Sequence, residues 1–196
     1  MLANTITLLR MPLLVVIIFL LYQPSAPLRI LAAFLNILLI IMDSLDGYVA
    51  RSRGEASVLG SILDIAADRT VEFVLWVVYA DLDVIPIILP LIVLARGVFV
   101  DAIRAVAPAK GLAPFDLMRS EVSRFVVKSP LFRGSYAVVK GFAFFFLALA
   151  LGLATIQHAL TDPVTIFAQI CAWLSLAFCL VRGLPVLIEA PRVLQD

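Results

Sequence analysis

Four aspartates lie at helical spacing within two stretches of the chain that are otherwise apolar. Asp43 and Asp46 are three residues apart, and Asp64 and Asp68 are four apart, so each pair faces one side of its own helix. A carboxylate at the centre of a lipid bilayer costs roughly 2.5–3.5 kcal/mol on insertion scales, and several of them need a compensating partner. Hard divalent cations such as Mg²⁺ and Mn²⁺ prefer oxygen ligands of this kind. The four aspartates are therefore candidate metal ligands.

The two pairs of aspartates also lie at the same predicted depth. Asp43 precedes Ala50, near the end of its apolar stretch, by seven residues, and Asp64 follows Ser57, at the start of the next stretch, by seven. At 1.5 Å of rise per residue, both lie about 10 Å below the same membrane surface. The short connection makes the two helices antiparallel neighbours, so we expect the four carboxylates to converge.

Spacing alone leaves two further roles open for the acidic residues. The acids could pair with basic residues as a structural network, or they could line an ion or proton pathway, as intramembrane acids do in transporters. In the same way, Gly47, Ala50 and Gly60 could leave space for a ligand beside the aspartates, or could permit close helix packing. The charged residues available for a structural network are Arg69, Glu72, Arg96, Asp101 and Arg104.

The composition predicts a polytopic membrane protein with a single domain over residues 1–196. Hydrophobic residues make up 63% of the chain and the mean hydropathy is +1.11, whereas soluble domains are about 45–50% apolar. The formal net charge of +1 gives no general attraction to nucleic acid, and the single histidine, His158, argues against a histidine-based metal site. A spanning helix needs about 20 apolar residues. Six stretches qualify: 5–22, 28–50, 57–80, 84–105, 135–156 and 163–188.

The distribution of Lys and Arg predicts that both termini are cytoplasmic. Basic residues concentrate in the second and fourth connections and at the C-terminal end, whereas the opposite side carries Asp81, Asp83 and Asp162. The fourth connection, 106–134, contains "PFDLMRSEVSRFVVK", in which apolar and charged residues fall on opposite helical faces. This pattern predicts an amphipathic helix on the inner membrane surface. The expected fold class is all-α, with six transmembrane helices and one cytoplasmic-side amphipathic helix.

The spacing of the acidic stretch is similar to the signature of the CDP-alcohol phosphotransferases, also called CDP-alcohol phosphatidyltransferases, class I. The six-span layout extends this resemblance over the whole chain. The resemblance implies an enzyme of phospholipid biosynthesis that transfers a phosphatidyl group from CDP-diacylglycerol to an alcohol and releases CMP. It also implies an integral protein of the cell membrane with a cytoplasmic active site, forming a homodimer. The stretch reads Asp43-x-x-Asp46-Gly47-x-x-Ala50-Arg51, eight residues, then Gly60-x-x-x-Asp64-x-x-x-Asp68.

The same resemblance implies a role for each residue of the motif. Asp43, Asp46 and Asp64 would be the principal ligands of two divalent ions, Mg²⁺ or Mn²⁺. Asp68 would take the proton from the attacking hydroxyl as general base, with a share in metal binding. The motif residues expected at the CDP-lipid donor are Gly47, Ala50 and Gly60, beside the cytidine nucleotide, and Arg51, beside its phosphates.

The N-terminus carries a second element of the resemblance. Asn4, Thr7 and Arg10 match an Asn-x-x-Thr-x-x-Arg pattern that the family often has there. The resemblance implies that Arg10 lies near the donor diphosphate. An anchor on the positive inner side of the first span would also explain this arginine.

The acceptor alcohol is less constrained by the sequence. Arg96, Arg104 and Lys140 lie within predicted spans and would suit a phosphorylated acceptor, because Arg and Lys bind phosphate directly. Positive-inside bias alone also accounts for such charges. The surrounding residues loosely resemble phosphatidylglycerophosphate synthases, which makes glycerol 3-phosphate the leading hypothesis. Gly97, where those enzymes commonly carry an acid, and a long insertion before Lys140 depart from that pattern.

More than one function is therefore compatible with the sequence. Within the same family, the acceptor could be inositol phosphate, inositol, serine or phosphatidylglycerol. From a different class, a cation- or proton-coupled transporter would use the same acids, although the internal repeats that are common in transporters are not visible. A non-catalytic lipid-binding scaffold is the third alternative.

Overall fold

The computed structural model describes residues 2–52, 57–106 and 120–195, which are predominantly helical and have no strand among them. This confirms the predicted all-α class. The helices are α1 Leu2–Tyr22, α2 Ala26–Ser52, α3 Val58–Asp81, α4 Ile88–Val106, α5 Glu121–Lys128, α6 Pro130–Thr155 and α7 Thr161–Gln195.

Four of these helices are long and apolar enough to cross a membrane, namely α1, α2, α6 and α7. Large apolar side chains such as Phe19, Phe99 and Ile170 are exposed, as expected for surfaces that face lipid rather than water. Among the described residues, α3 and α4 are not apolar enough to be candidate spans, because they contain more charged residues. The six-span layout therefore stays a prediction. The charged residues are Asp64, Asp68, Arg69, Glu72 and Asp81 in α3, and Arg96, Asp101 and Arg104 in α4.

Local sequence explains where two of the helices begin. Ser57 is the N-cap of α3, and its Oγ accepts a hydrogen bond from the backbone N–H of Gly60 at 3.0 Å. Ser120 caps α5 in the same way, accepting from the backbone N–H of Ser123 at 3.3 Å. Such caps satisfy backbone donors that a helix leaves unpaired in its first turn. The acidic α3 thus starts seven residues before Asp64, counted from its cap.

The first compact unit comprises Met1–Ile87 and Gly141–Ile170. In it α1 packs against both α2 and α3. A buried polar chain joins α2, α3 and α6, because Asn36 Nδ2 donates to Tyr79 Oη at 3.0 Å and the Tyr79 hydroxyl donates to the carbonyl of Phe144 at 2.8 Å. Arg29 adds a link from α2 to Thr155 at 2.8 Å. These contacts link α2, α3 and α6 within the first unit.

The second compact unit comprises Ile88–Lys140 and Cys171–Asp196. Glu189 of α7 holds the start of α5, because its carboxylate accepts from the backbone N–H of Ser120 at 3.0 Å and from the hydroxyl of Ser123. The predicted amphipathic helix falls partly on this segment. Glu121–Lys128 is helical, whereas 107–119 lie outside the described residues, and the position of the helix on a membrane surface stays a prediction.

Candidate active site

The second half of α2 and the first half of α3 bring three aspartates into one cluster. Asp43, Asp46 and Asp64 each offer one carboxylate oxygen, and these atoms all lie within 4.8 Å of one another. Two helices that run antiparallel through a short connection produce the convergence that the spacing predicts. One structural ion pair lies farther along α3, where Arg69 Nη1 is 3.0 Å from Glu72 Oε2.

Asp46 is the most buried member of the cluster, with 3% of its side chain exposed. The hydroxyl of Thr7 donates to its Oδ2 at 2.8 Å, whereas its Oδ1 has no hydrogen-bond partner among the described residues. A buried acceptor left unpaired costs about 1–3 kcal/mol. Oxygen ligands from three carboxylates, one with an orphaned oxygen, fit a hard divalent cation.

Asp68 stands at the accessible edge of the same group. It follows Asp64 by one helical turn of α3, and 50% of its side chain is exposed. Asp43 and Asp64 are also partly exposed, at 37% and 49%. A molecule approaching from outside the bundle can therefore reach these three carboxylates, while Asp46 is closed off beneath them.

Arg10 of α1 lies among all four aspartates. Its Nη1 is 2.7 Å from Asp43 Oδ1, and its Nη2 is 2.8 Å from Asp68 Oδ1. The same Nη1 is 3.8 Å from Asp46 Oδ2 and 3.9 Å from Asp64 Oδ1. Only 2% of the Arg10 side chain is exposed. The sequence pattern suggested the donor diphosphate or the membrane surface as the surroundings of this arginine and did not anticipate its contacts with the carboxylates.

The start of α3 also receives the first turn of α1. A Cβ atom built on Gly60 would lie 2.9 Å from Asn4 Oδ1 and 3.1 Å from Ser57 Oγ, so a side chain at this position would have to displace one of these two side chains. Asn4, Thr7 and Gly60 are thus brought to the same part of the first unit as the aspartates. Gly47 is half-buried in α2. Ala50 and Arg51 are helical residues of α2 whose side chains lie outside the described part.

The basic residues proposed for the acceptor belong to the second unit. Arg96 is buried, and its Nε has no hydrogen-bond partner among the described residues. Lys140 Nζ lies 5.2 Å from the centre of the Tyr136 ring, and Arg182 Cζ lies 6.0 Å from the same ring. Arg104 lies in the last turn of α4.

Tyr136, Arg182 and Gly183 are residues that reasoning from the sequence missed. Arg182 carried an available signal, because a charge inside an apolar stretch marks a candidate functional position. Gly183 had no such signal. Its closeness to Arg96 of α4 depends on how two helices that are distant in sequence pack together.

A comparison with known protein families matches residues 1–184 to CDP-alcohol phosphatidyltransferase. The matched range includes Arg10, the aspartate motif, the basic residues of α4 and α6, and Arg182 of α7. None of the curated proteins compared with the chain matches it. Members of the family are divalent-metal-dependent phosphotransferases for substituted phosphate groups, and they transfer a phosphatidyl group from a CDP-alcohol to an alcohol. The chain belongs to the CDP-alcohol phosphatidyltransferase family.

Proposed function

We propose that the protein transfers the phosphatidyl group of CDP-diacylglycerol to a small phosphorylated alcohol and releases CMP. The observation that carries this proposal is the convergence of Asp43, Asp46 and Asp64 within 4.8 Å, with Asp68 one turn farther along α3. These residues would hold two divalent ions, Mg²⁺ or Mn²⁺. Bound ions would neutralise charge on the diphosphate and on the leaving CMP. The family match favours this enzyme over the transport alternative.

Asp68 acts as the general base in this proposal. The acceptor hydroxyl gives its proton to the Asp68 carboxylate while its oxygen bonds to the phosphatidyl phosphorus, and the bond from that phosphorus to the CMP oxygen breaks. The exposed half of the Asp68 side chain supports the role, since a base must come within hydrogen-bond reach of its substrate.

In this proposal the donor is bound by α1, by the C-terminal end of α2 and by the N-terminal end of α3. Gly47, Ala50 and Gly60 lie against the cytidine in this proposal, and Arg51 neutralises phosphate. Asn4, Thr7 and Arg10 complete the donor site from α1; the packing of α1 on α2 and α3 supports their inclusion. The contact that a Cβ at Gly60 would make with Asn4 Oδ1 supports placing these two residues in one site.

Glycerol 3-phosphate is the acceptor that we propose first. Arg96, Arg104 and Lys140 would bind its phosphate, because guanidinium and ammonium groups form charge-assisted hydrogen bonds to phosphate oxygens. The buried Nε of Arg96, without a hydrogen-bond partner among the described residues, supports this role. Inositol phosphate would use the same cations, whereas inositol, serine and phosphatidylglycerol would use them less.

The protein works as a single membrane domain in this proposal, with both termini and the active site on the cytoplasmic side. The acyl chains of the donor remain in the bilayer, while CMP and the acceptor exchange with the cytoplasm. We also propose a homodimer, as the family resemblance implies.

The test is an assay of the purified protein with CDP-diacylglycerol and a panel of alcohols, with Mg²⁺, with Mn²⁺ or with a chelator. CMP release and the mass of the lipid product are measured together. We expect phosphatidylglycerophosphate from glycerol 3-phosphate, and no product with the chelator. Asp43→Asn, which removes a proposed metal ligand, should also abolish CMP release. Asp162→Asn is its matched control, because it changes an aspartate of α7 outside the motif. Absence of CMP with every alcohol and both metals contradicts the proposed function.

A further inference from the structure

The guanidinium of Arg10 and the proposed divalent ions have the same ligands. We propose that Arg10 is an internal counter-ion of the aspartate cluster, which a divalent ion displaces when it binds, so that the arginine becomes available to the donor diphosphate. This inference rests on the proposed function and adds an order to it, in which the metal comes first and the arginine reaches the donor afterwards.

The distances around Nη1 of Arg10 are the evidence that this arginine and a bound ion would compete for the same carboxylates. This nitrogen lies 2.7, 3.8 and 3.9 Å from oxygens of Asp43, Asp46 and Asp64, which are the three residues that form the candidate metal cluster. Mg²⁺ binds its oxygen ligands at about 2.0–2.1 Å. An ion shared by these carboxylates would lie next to Nη1, and two neighbouring positive charges repel each other. Binding of a divalent ion therefore favours displacement of the guanidinium.

The burial of Arg10 bears on its role as a counter-ion. With 2% of its side chain exposed, this guanidinium has little contact with water, and arginine stays protonated in proteins. Its positive charge therefore offsets repulsion among the aspartates wherever no other cation does so. Arg10 thus holds the carboxylates of α2 and α3 together.

The hydrogen bonding of Arg10 shows why it can leave. Nη2 donates to Asp68 at 2.8 Å, but Nε and Nη1 have no hydrogen-bond partner among the described residues. The contacts of Nη1 are therefore held by charge without aligned hydrogen bonds. A divalent ion brings twice the charge and binds the oxygens more closely, so it replaces such a contact favourably.

The experiment measures Mn²⁺ affinity directly, without donor or acceptor. Purified wild type, Arg10→Gln and Arg29→Gln are titrated with Mn²⁺, and free Mn²⁺ is followed by electron paramagnetic resonance. Arg29 is the matched control: it belongs to the same unit, it loses the same charge, and it contacts Thr155 and the carbonyl of Leu21 instead of the cluster. We expect Arg10→Gln to bind Mn²⁺ about tenfold more tightly, within the range usual for coupled binding, and Arg29→Gln to match the wild type.

The opposite result overturns the inference. If Arg10→Gln binds Mn²⁺ as weakly as the wild type, or more weakly, Arg10 is no competitor of the metal. Arg10→Lys serves if the glutamine variant does not fold, because it keeps the charge but lacks the planar fork that reaches several carboxylates. The Mn²⁺ affinity of Arg10→Lys should exceed that of the wild type. An affinity at or below the wild-type value would likewise show that Arg10 does not compete with the metal. Since CMP release is assayed separately, failure of the proposed reaction and failure of this inference are distinguishable.

Discussion

Arg96 of α4 lies directly against the backbone of Gly183 of α7. A Cβ atom on Gly183 would be 2.2 Å from Nε of Arg96 and 2.8 Å from its Cγ. Because Cγ lies near the base of the arginine side chain, rotation of the guanidinium alone would not relieve the overlap. The absence of a side chain at position 183 therefore sets the direction in which Arg96 extends.

The first prediction concerns this contact. Gly183→Ala should displace Arg96 and raise the KM for glycerol 3-phosphate about tenfold, which corresponds to about 1.4 kcal/mol of binding free energy. The kcat and the KM for CDP-diacylglycerol should stay nearly unchanged. Steady-state kinetics with each substrate varied in turn measures the difference. Gly134→Ala is the control, because a Cβ there meets nothing within 4 Å. An unchanged acceptor KM in Gly183→Ala would show that the position of Arg96 does not matter to the acceptor.

The second prediction concerns the hydroxyl that supports Asp46. Thr7→Val removes the donor 2.8 Å from Asp46 Oδ2 while keeping the shape of the side chain. Loss of a hydrogen bond that orients a metal ligand typically costs about 10- to 100-fold in metal affinity, and we expect a loss of that size for Mn²⁺. Thr165→Val is the matched control, because its hydroxyl donates within α7 to the carbonyl of Thr161. Equal Mn²⁺ affinities for the two variants would mean that Thr7 does not orient the ligand.

The third prediction concerns the proposed base. Asp68→Asn should lower kcat by about 10²- to 10⁴-fold at saturating metal, the usual contribution of a general base. The variant should remain folded and should still bind Mn²⁺ through Asp43, Asp46 and Asp64. Its Mn²⁺ affinity should change, because Asp68 is a proposed ligand and the hydrogen-bond partner of Arg10. The measurements are CMP release at saturating Mn²⁺ and a thermal melt of the same sample. Turnover at the wild-type rate would remove Asp68 from the mechanism.

The fourth prediction concerns the start of α3. Gly60→Ala would place a Cβ 2.9 Å from Asn4 Oδ1 and 3.1 Å from Oγ of the capping Ser57. The added methyl group should displace the Asn4 side chain from the proposed donor site and raise the KM for CDP-diacylglycerol. We expect a change of about tenfold, similar in free energy to the loss of one N-cap. Gly141→Ala is the control, because its Cβ would make an equally close side-chain contact, 2.9 Å from Ile40 Cδ1, with a residue that is not part of the proposed donor site. Similar donor KM values in both variants would argue against a donor site at Gly60.

Much of the candidate site could be predicted because its information is local. Asp43 with Asp46, and Asp64 with Asp68, face one side of a helix through spacing alone, and the short connection between α2 and α3 accounts for their convergence. The apolar composition likewise indicated membrane helices, since spanning segments need long apolar runs. In α3 and α4, charged residues interrupt the apolar runs, so the composition of these two helices is too polar to define a span.

The helices, the family signature and the acidic cluster could thus be recognised in the chain alone, because each depends on residues within one or two helical turns or on overall composition. Helix packing, in contrast, established that Arg10 contacts Asp68 across 58 residues of chain, that Thr7 supports Asp46, and that Gly183 makes room for Arg96. Those contacts depend on the rotation and offset of helices packed against one another. No spacing along the chain encodes such rotation, since many packings satisfy the same apolar pattern.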